Sequence, residues 1–133
     1  MKKKVLLVQL PMPQFAYHKL WGNIPLGGGY LKASALNAGL SDLFDIKLLE
    51  AKTSCLDSDA RLIKRITSIK PDILGLTLYY WNGFRSLHIA RRVKDLLPDM
   101  KVIVGGPEVT EDSEYILGDR TVDMGCIGQG ERT

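Results

Sequence analysis

Five short and mostly apolar runs, separated by segments with helical periodicity, constrain the fold of this 133-residue chain more than any other feature. Runs that are apolar without alternation are typical of strands buried on both faces of a parallel sheet, whereas the alternating run at 45–49 favours a strand nearer an edge. Strands that alternate with helices at this spacing favour a parallel sheet with right-handed crossovers. The predicted strands are residues 4–10, 45–49, 72–77, 101–104 and 122–127.

The helical segments complete a single α/β domain over residues 1–133. The first helix is predicted to begin near Pro25, a residue favoured in a first turn, and to stop at Ala38-Gly39. Further helices are predicted over residues 58–69, 83–97 and 112–117. The expected fold is a flavodoxin-like, Rossmann-like doubly wound sheet with strand order 2-1-3-4-5, which places a ligand at the carboxyl ends of the strands where the order reverses.

Composition excludes several classes of partner. The net charge of +3 is inflated by the terminal Lys2, Lys3 and Lys4, and no basic cluster is interleaved with aromatic residues, so nucleic acid is not expected. No run approaches the roughly 20 apolar residues of a membrane span, and the run at 5–10 is too short for a secretory signal. Cys55 and Cys126 lack neighbours at ligand spacing, so we expect reduced cytoplasmic thiols and no metal site.

Two segments near the predicted first helix leave alternatives open. The loop at 11–23 is long for a strand-to-helix connection and rich in apolar side chains, which favours either a cover over a ligand or partner, or simple packing. Gly27, Gly28 and Gly29 follow in the first turns of the helix, where each glycine costs about 1 kcal/mol relative to alanine. These glycines indicate close packing of helix on strand, close approach to a bulky ligand, or both.

The loops after the third, fourth and fifth strands carry hydroxyl, aromatic and glycine residues. Thr77 ends the third strand, and the residues after it include three consecutive aromatics and Asn82, a residue of the N-cap type. The three aromatics cannot all face inward, so at least one is expected to be available to a site. Glycine pairs with a neighbouring proline or carboxylate follow the fourth and fifth strands, at 105–107 and 128–131, and allow the backbone to approach a broad group.

Several nucleotide and catalytic sites are excluded by what these loops lack. No G-x-G-x-x-G, phosphate-binding Ser/Thr cluster or P-loop follows the first strand, and the first and third strands do not end in the acidic residues of a phosphoreceiver. His18 and His88 are the two histidines of the sequence, and neither is placed for a Ser–His–acid or Cys–His arrangement. The residues therefore predict no catalytic group and favour the binding of something large that does not depend strongly on phosphate.

Five blocks of sequence carry a resemblance to a known family. They read LVQLPMP, IPLGGGYL, KPDILGLT, VIVGGPE and GQGE, in that order along essentially the whole chain. This pattern resembles the N-terminal cobalamin-binding domain of the B12-dependent radical SAM enzymes. The resemblance implies cobalamin at the carboxyl ends of the strands, beside a downstream radical SAM barrel that carries S-adenosylmethionine and a 4Fe-4S cluster. The residues implied to contact cobalamin are Pro11, Gly27, Gly28, Thr77, Leu78, Tyr79, Gly105, Gly106, Pro107, Gly128, Gly130 and Glu131.

The sequence departs from the family pattern in two places. The signature Asp-x-His-x-x-Gly is absent, and the nearest stretch, 16–22, lacks the Asp that would orient an imidazole, so His18 is either a cobalt ligand or an ordinary polar loop residue. The Cys-x-x-x-Cys-x-x-Cys that binds an iron–sulfur cluster is also missing. We therefore expect an excised N-terminal fragment that binds without catalysing, from a parent methyltransferase or a cyclase that acts on a tetrapyrrole or lipid.

Two alternatives belong to other classes of function. One is an interaction domain that has lost the cofactor and uses Tyr79, Tyr80 and Trp81 for protein contact or self-association. The other is a stand-alone sensor, in which cobalamin or another tetrapyrrole regulates a partner. Binding of hydroxocobalamin separates the first alternative from a cobalamin module, and the full reading frame separates the second.

Overall fold

A computed structural model of the chain describes residues 1–12 and 24–132. The described residues form a parallel sheet with strand order β2-β1-β3-β4-β5, which confirms the predicted doubly wound fold. The strands are β1 (Lys3–Val8), β2 (Phe44–Leu48), β3 (Ile73–Thr77), β4 (Lys101–Gly105) and β5 (Met124–Gly125).

Two strands are shorter than predicted. β1 ends at Val8, the last residue that pairs with β3, although Gln9 and Leu10 beyond it stay buried. β5 comprises two residues and lies at the sheet edge, where it pairs with β4 alone. Backbone hydrogen bonds from Asp123 to Val102 and from Cys126 to Val104 continue the β4–β5 contact on either side. The apolar runs of the sequence are therefore longer than the segments that pair as strands.

The helices lie close to their predicted positions. They are α1 (Leu26–Asn37), α2 (Ala51–Leu56), α3 (Asp59–Ile69), α4 (Gly83–Leu96) and α5 (Glu114–Leu117). Ser58 precedes α3 and accepts a hydrogen bond from the Arg61 N–H, as expected of an N-cap residue. The six-residue α2 was not predicted, because so short a helix shows no periodicity. Within the described ranges, no helix has both the length and the apolar character needed to cross a membrane.

The two faces of the sheet are covered unequally. Alternate residues of β1, β3 and β4 join α3 and α4 in one buried core, which includes Leu62, Leu74 and Val102. On the opposite face α1 packs over β1 and β2, where a Cβ on Gly28 would lie 3.4 Å from Leu48 Cδ2. Met124, on the β5 side of that face, is 60% exposed. The sheet face that carries α1 is therefore partly exposed to solvent near β4 and β5.

Candidate functional site at the carboxyl ends of the strands

The loops that follow β1, β3, β4 and β5 meet at one edge of the sheet, called here the carboxyl rim. The strand order reverses between β1 and β3, because β1 pairs with β2 on one side and with β3 on the other. Open α/β sheets bind ligands in the crevice outside such a reversal. The rim is therefore the part of the described structure in which topology favours a site.

Asn82 fixes the rim at this reversal. Its Oδ1 accepts from the Tyr79 N–H at 2.8 Å, and its Nδ2 donates to Leu10 O at 2.9 Å and to Thr77 O at 3.2 Å. The residue is only 1% exposed. Its side chain makes no capping bond to α4, so Asn82 occupies the N-cap position but ties the loops after β1 and β3 together.

Gly106 allows the loop after β4 to pack against the loop after β3. Its φ of +104° lies in a region that favours glycine, and a Cβ there would lie 2.6 Å from Leu78 O. The Leu78 N–H donates to Gly105 O at 2.7 Å, and the Glu108 N–H donates to Leu78 O at 3.3 Å. The close backbone approach requires glycine here, whatever the ligand, so Gly106 supports the site by joining two loops.

Other glycines of the rim leave space. A Cβ on Gly27 or Gly128 would meet nothing within 4 Å, and one on Gly105 would meet only Cys126, at 3.7 Å. Gly28 differs, because its hydrogen faces Leu48 and Leu7 and allows α1 to pack closely on the sheet. Gly28 thus agrees with the alternative of close helix packing. Gly27 faces open space, as the alternative of a bulky ligand requires.

The remaining predicted residues lie on the same rim in different environments. The Leu78 side chain is buried in the core, so only its backbone faces the loop, while Pro11 is half-buried and Pro107 exposed. Gly130 and Glu131 form a 3₁₀ turn against α1. Ser34 Oγ of that helix donates to Glu131 O at 3.0 Å. The rim brings all twelve predicted residues to one edge, although they do not form one continuous lining.

Aromatic side chains flank the glycines. Tyr79 and Trp81 stack with ring centroids 4.6 Å apart and an interplanar angle of 7°. Phe84 stacks on Tyr115 at 5.0 Å. Tyr80 is 87% exposed, and Phe84 76% exposed. The prediction that at least one aromatic is available at the rim is therefore confirmed, and the exposed rings offer flat apolar contact to a broad ligand.

Charges near the rim are mostly paired with one another. Arg85 Nε donates to Asp59 Oδ1 at 2.8 Å, on the flank where α3 and α4 begin. Partial burial, together with the hydrogen bond from its hydroxyl to Glu108 at 3.1 Å, raises the pKa of Tyr115. Within residues 1–12 and 24–132, no group of His, Cys, Asp and Glu side chains is arranged to hold a metal ion. These charged groups bond within the protein, and the rim therefore favours a broad ligand that is not recognised mainly by its charge.

An open cavity of about 690 Å³ lies between α4 and the segment around α5, and Tyr115, which stacks on Phe84, forms part of its wall. Arg91, Lys94 and Asp119 contribute to its walls. These three charged groups are already engaged, since Arg91 Nη2 lies 2.8 Å from Asp119 Oδ2 and Lys94 bonds to Asp123. We therefore favour the rim over this cavity as the site, because topology and glycine placement both favour the rim.

The structure gives two residues of the rim a role that the sequence pattern does not predict. The sequence predicts an N-cap at Asn82, although an asparagine five residues after a strand end is also spaced to reach back to the strand. The sequence predicts Gln9 within an apolar strand, yet it is a buried polar residue just beyond β1. His18 and the long apolar loop at 13–23 lie outside the described residues, so their predicted roles stay predictions.

Comparison with known proteins adds a family to this geometry. The 2-(S-pantetheinyl)-carbapenam-3-carboxylate methyltransferase of Streptantibioticus cattleyicolor is 39% identical over 62 residues, which is 46% of this chain and 9% of that protein. The cobalamin-dependent radical SAM methyltransferase TokK of Streptomyces tokunonensis is 34% identical over 64 residues, covering 47% of this chain and 9% of TokK. The chain thus spans under a tenth of the length of these two curated relatives.

A solved structure shares the fold. The cobalamin-dependent S-adenosylmethionine radical enzyme OxsB, with aqua-cobalamin and S-adenosylmethionine bound, superposes with a TM-score of 0.72 over 98% of this chain and 17% of OxsB, at 17% identity. The family model described as the B12 binding domain matches residues 23–133. This chain therefore belongs to the B12-binding domain family and is similar to the B12-binding domains of cobalamin-dependent radical SAM methyltransferases.

Proposed function

We propose that this domain holds cobalamin against the carboxyl rim, as the cofactor-binding module of a longer cobalamin-dependent radical SAM enzyme. One observation carries the proposal: Asn82 and Gly106 hold together the loops after β1, β3 and β4, and these loops carry uncrowded glycines and exposed aromatic side chains at the edge where the strand order reverses. A fixed, apolar and sterically open surface fits a broad macrocycle, and ligand sites are commonly apolar with a few placed polar groups.

The residues of the rim divide by the part they would play in holding cobalamin. Open space at Gly27, Gly105 and Gly128 would admit the ligand, and Tyr79 would offer the edge of its stacked ring. Backbone positions and neighbouring loops would contribute the rest of the surface. The proposed set is Pro11, Gly27, Gly28, Thr77, Leu78, Tyr79, Gly105, Gly106, Pro107, Gly128, Gly130 and Glu131.

Bound cobalamin would supply the cobalt chemistry, while the domain's own residues would bind and orient the corrin. No group of three or more His, Cys, Asp and Glu side chains in residues 1–12 and 24–132 is arranged to hold a metal ion, and His88 lies exposed on α4. We assign the described residues to binding of the cofactor. The domain by itself is expected to catalyse no reaction.

The parent enzyme is proposed from the relatives. TokK is a cobalamin-dependent radical SAM methyltransferase, and this chain covers 9% of its length. We infer a parent methyltransferase whose radical SAM barrel follows this domain and carries S-adenosylmethionine and a 4Fe-4S cluster. The free Cys55 and Cys126 are consistent with a reducing cytoplasm. A downstream Cys-x-x-x-Cys-x-x-Cys in the same reading frame is the expected finding, and a frame without one would contradict this parent.

Binding is tested by mixing the purified chain with hydroxocobalamin and separating the two by gel filtration. The expected result is a corrin absorption spectrum that elutes with the protein at micromolar concentration. Protein that elutes free of corrin at this concentration would contradict the proposal. Self-association of that corrin-free protein, lost on Trp81→Ala, would instead favour the interaction domain.

A pair of variants places the bound corrin on the rim. Gly105→Val adds bulk where a Cβ has only Cys126 nearby, so the fold should tolerate it while cobalamin binding weakens at least tenfold. Lys64→Leu places an apolar side chain at an exposed position of α3, on the other side of the sheet, and should leave binding unchanged. Equal affinities for both variants would place the corrin elsewhere.

A further inference from the structure

Gln9 is a buried polar side chain that the proposed contacts leave out. It follows β1 directly and is 8% exposed. Among the described residues, its Oε1 has no hydrogen-bond partner. A buried amide oxygen without a partner costs free energy, because it has lost its bonds to water and gained none from the protein.

The position of Gln9 relative to α1 follows from strand alternation. Gln9 lies one residue beyond β1, and extending the alternation of the strand by that residue assigns its side chain to the face of Leu7, one step nearer the rim. Leu7 is the residue over which α1 closes, since a Cβ on Gly28 would lie 3.6 Å from Leu7 Cβ. Gln9 therefore sits at the reversal of strand order, on the α1 side of the sheet.

The neighbours of Gln9 on the same face form a row of small residues. Continuing the β1–β3 register from Val8 and Leu76 brings Gln9 beside Thr77, and Thr77 pairs with Gly105. A Cβ on Gly105 would meet only Cys126, at 3.7 Å, unlike Gly75 in the row behind, where Leu7 Cδ2 would lie 2.6 Å from a Cβ. The buried amide of Gln9 thus adjoins a part of the rim where Thr77 and Gly105 carry little side-chain bulk.

We propose that Gln9 Oε1 accepts a hydrogen bond from the bound corrinoid and is a determinant of corrinoid specificity. The inference rests on the proposed function, since cobalamin is the ligand assigned to the rim. Cobalamin offers donors of two kinds, the N–H groups of its corrin amides and the hydroxyl groups of its nucleotide tail. A bond from either donor satisfies the oxygen that the described protein leaves without a partner.

The test replaces the amide by an apolar group of the same length. Gln9→Met removes the acceptor while filling nearly the same volume. We expect roughly 5- to 10-fold weaker cobalamin binding, measured by absorption titration, together with an unchanged or higher melting temperature of the free protein. The melting temperature rises or holds because the variant removes an oxygen that has no partner before the ligand binds.

Thr67→Val provides the matched control. Thr67 Oγ1 on α3 is the other buried side-chain oxygen of the described residues that has no partner, and it lies remote from the rim. Its replacement should also leave the melting temperature unchanged or raise it, but without any change in cobalamin affinity. The control separates the removal of a buried polar atom from the loss of a ligand contact.

Cobinamide, which keeps the corrin amides and lacks the nucleotide, identifies the donor. Weaker binding of both corrinoids by Gln9→Met would assign a corrin amide, and weaker binding of cobalamin alone would assign the nucleotide tail. Unchanged affinity for both would overturn the inference, as would a lower melting temperature with unchanged affinity, which assigns the oxygen to a partner within the protein. Wild-type protein that binds neither corrinoid would overturn the proposed function itself.

Discussion

The two edges of the sheet are held together by different chemistry. At the amino edge, made up of Lys3, Lys4, Asp72, Lys101 and Asp123, carboxylates bind the neighbouring strand: Asp72 accepts from the Lys4 N–H and Asp123 from the Val102 N–H, both at 2.8 Å. At the carboxyl rim the corresponding work is done by the neutral amide of Asn82 and by the backbone around Gly106.

The two edges also differ in how many of their groups are free to contact a ligand. At the amino edge each carboxylate is bonded to the backbone and to a lysine, with Lys3 Nζ 3.0 Å from Asp72 Oδ1. At the rim the fixed groups face the loops, and the space beside Gly27, Gly105 and Gly128 stays open. The paired charges of the amino edge stabilise strand pairing, whereas the rim is fixed by neutral groups and keeps space beside some of its glycines.

Gly106→Ala is expected to have the largest effect on stability. The new Cβ would lie 2.6 Å from Leu78 O at a φ of +104°, so we expect a loss of about 3 kcal/mol in the free energy of unfolding, measured by urea denaturation. Gly128→Ala shares the positive φ, +81°, but has nothing within 4 Å, and should lose only about 1 kcal/mol. Equal losses would show that the loop contact contributes little.

Asn82→Ala comes next. It removes three hydrogen bonds and leaves the carbonyls of Leu10 and Thr77 without that donor, so we expect a loss of about 2 kcal/mol in the free energy of unfolding. Thermal denaturation checks the value. If Asn82→Ala costs less than the loss of a carboxylate at the amino edge, the comparison of the two edges fails.

Asp123→Asn probes the amino edge and has a smaller effect with a distinct pH dependence. Burial alone would raise the pKa of Asp123, but hydrogen bonds from Lys94 and the Val102 N–H outweigh it and lower the pKa below its usual value. A carboxyl group with a lowered folded pKa stabilises the fold above its unfolded pKa of about 3.9, and that contribution disappears as pH falls through the folded pKa.

The wild-type protein should therefore exceed Asp123→Asn in stability by about 1 kcal/mol at pH 7, and the difference should shrink as pH falls below the unfolded pKa of about 3.9 and through the lowered folded pKa. Urea denaturation of both proteins between pH 2 and pH 7 gives the profile. Arg92→Gln, which removes an exposed ion pair with Asp95 on α4, is the control and should shift stability only slightly at any pH. A constant difference between wild type and Asp123→Asn across this range would contradict the assignment.

Gly27→Ala has the smallest expected effect on stability and separates folding from binding. Alanine is favoured over glycine in a helix, and a Cβ here meets nothing within 4 Å, so stability should rise by up to about 0.5 kcal/mol. Cobalamin affinity should fall several-fold, because the methyl group occupies space assigned to the ligand. Unchanged affinity would remove Gly27 from the site while leaving the rest of the rim in place.

The sequence predicted the framework of the site better than its internal bonding. The glycines at 105 and 106 were predicted together as open backbone, yet Gly105 faces space while Gly106 faces Leu78 O. The difference depends on a contact between loops 28 residues apart, which no local pattern encodes. In the same way Asn82 matched an N-cap by type and position, but its side chain bonds to Leu10 instead.

The sequence by itself determined the order of strands and helices, the parallel sheet and the collection of glycine and aromatic residues at one edge. Those features follow from hydrophobic periodicity and chain connectivity, which are local properties. Only the tertiary structure decided which glycines contact neighbouring atoms and which have free space beside them. It also decided that Asn82 joins two loops, and that Gln9 is buried with an oxygen that lacks a described partner. Those features depend on distances between segments far apart in the chain, which are fixed only when the segments pack.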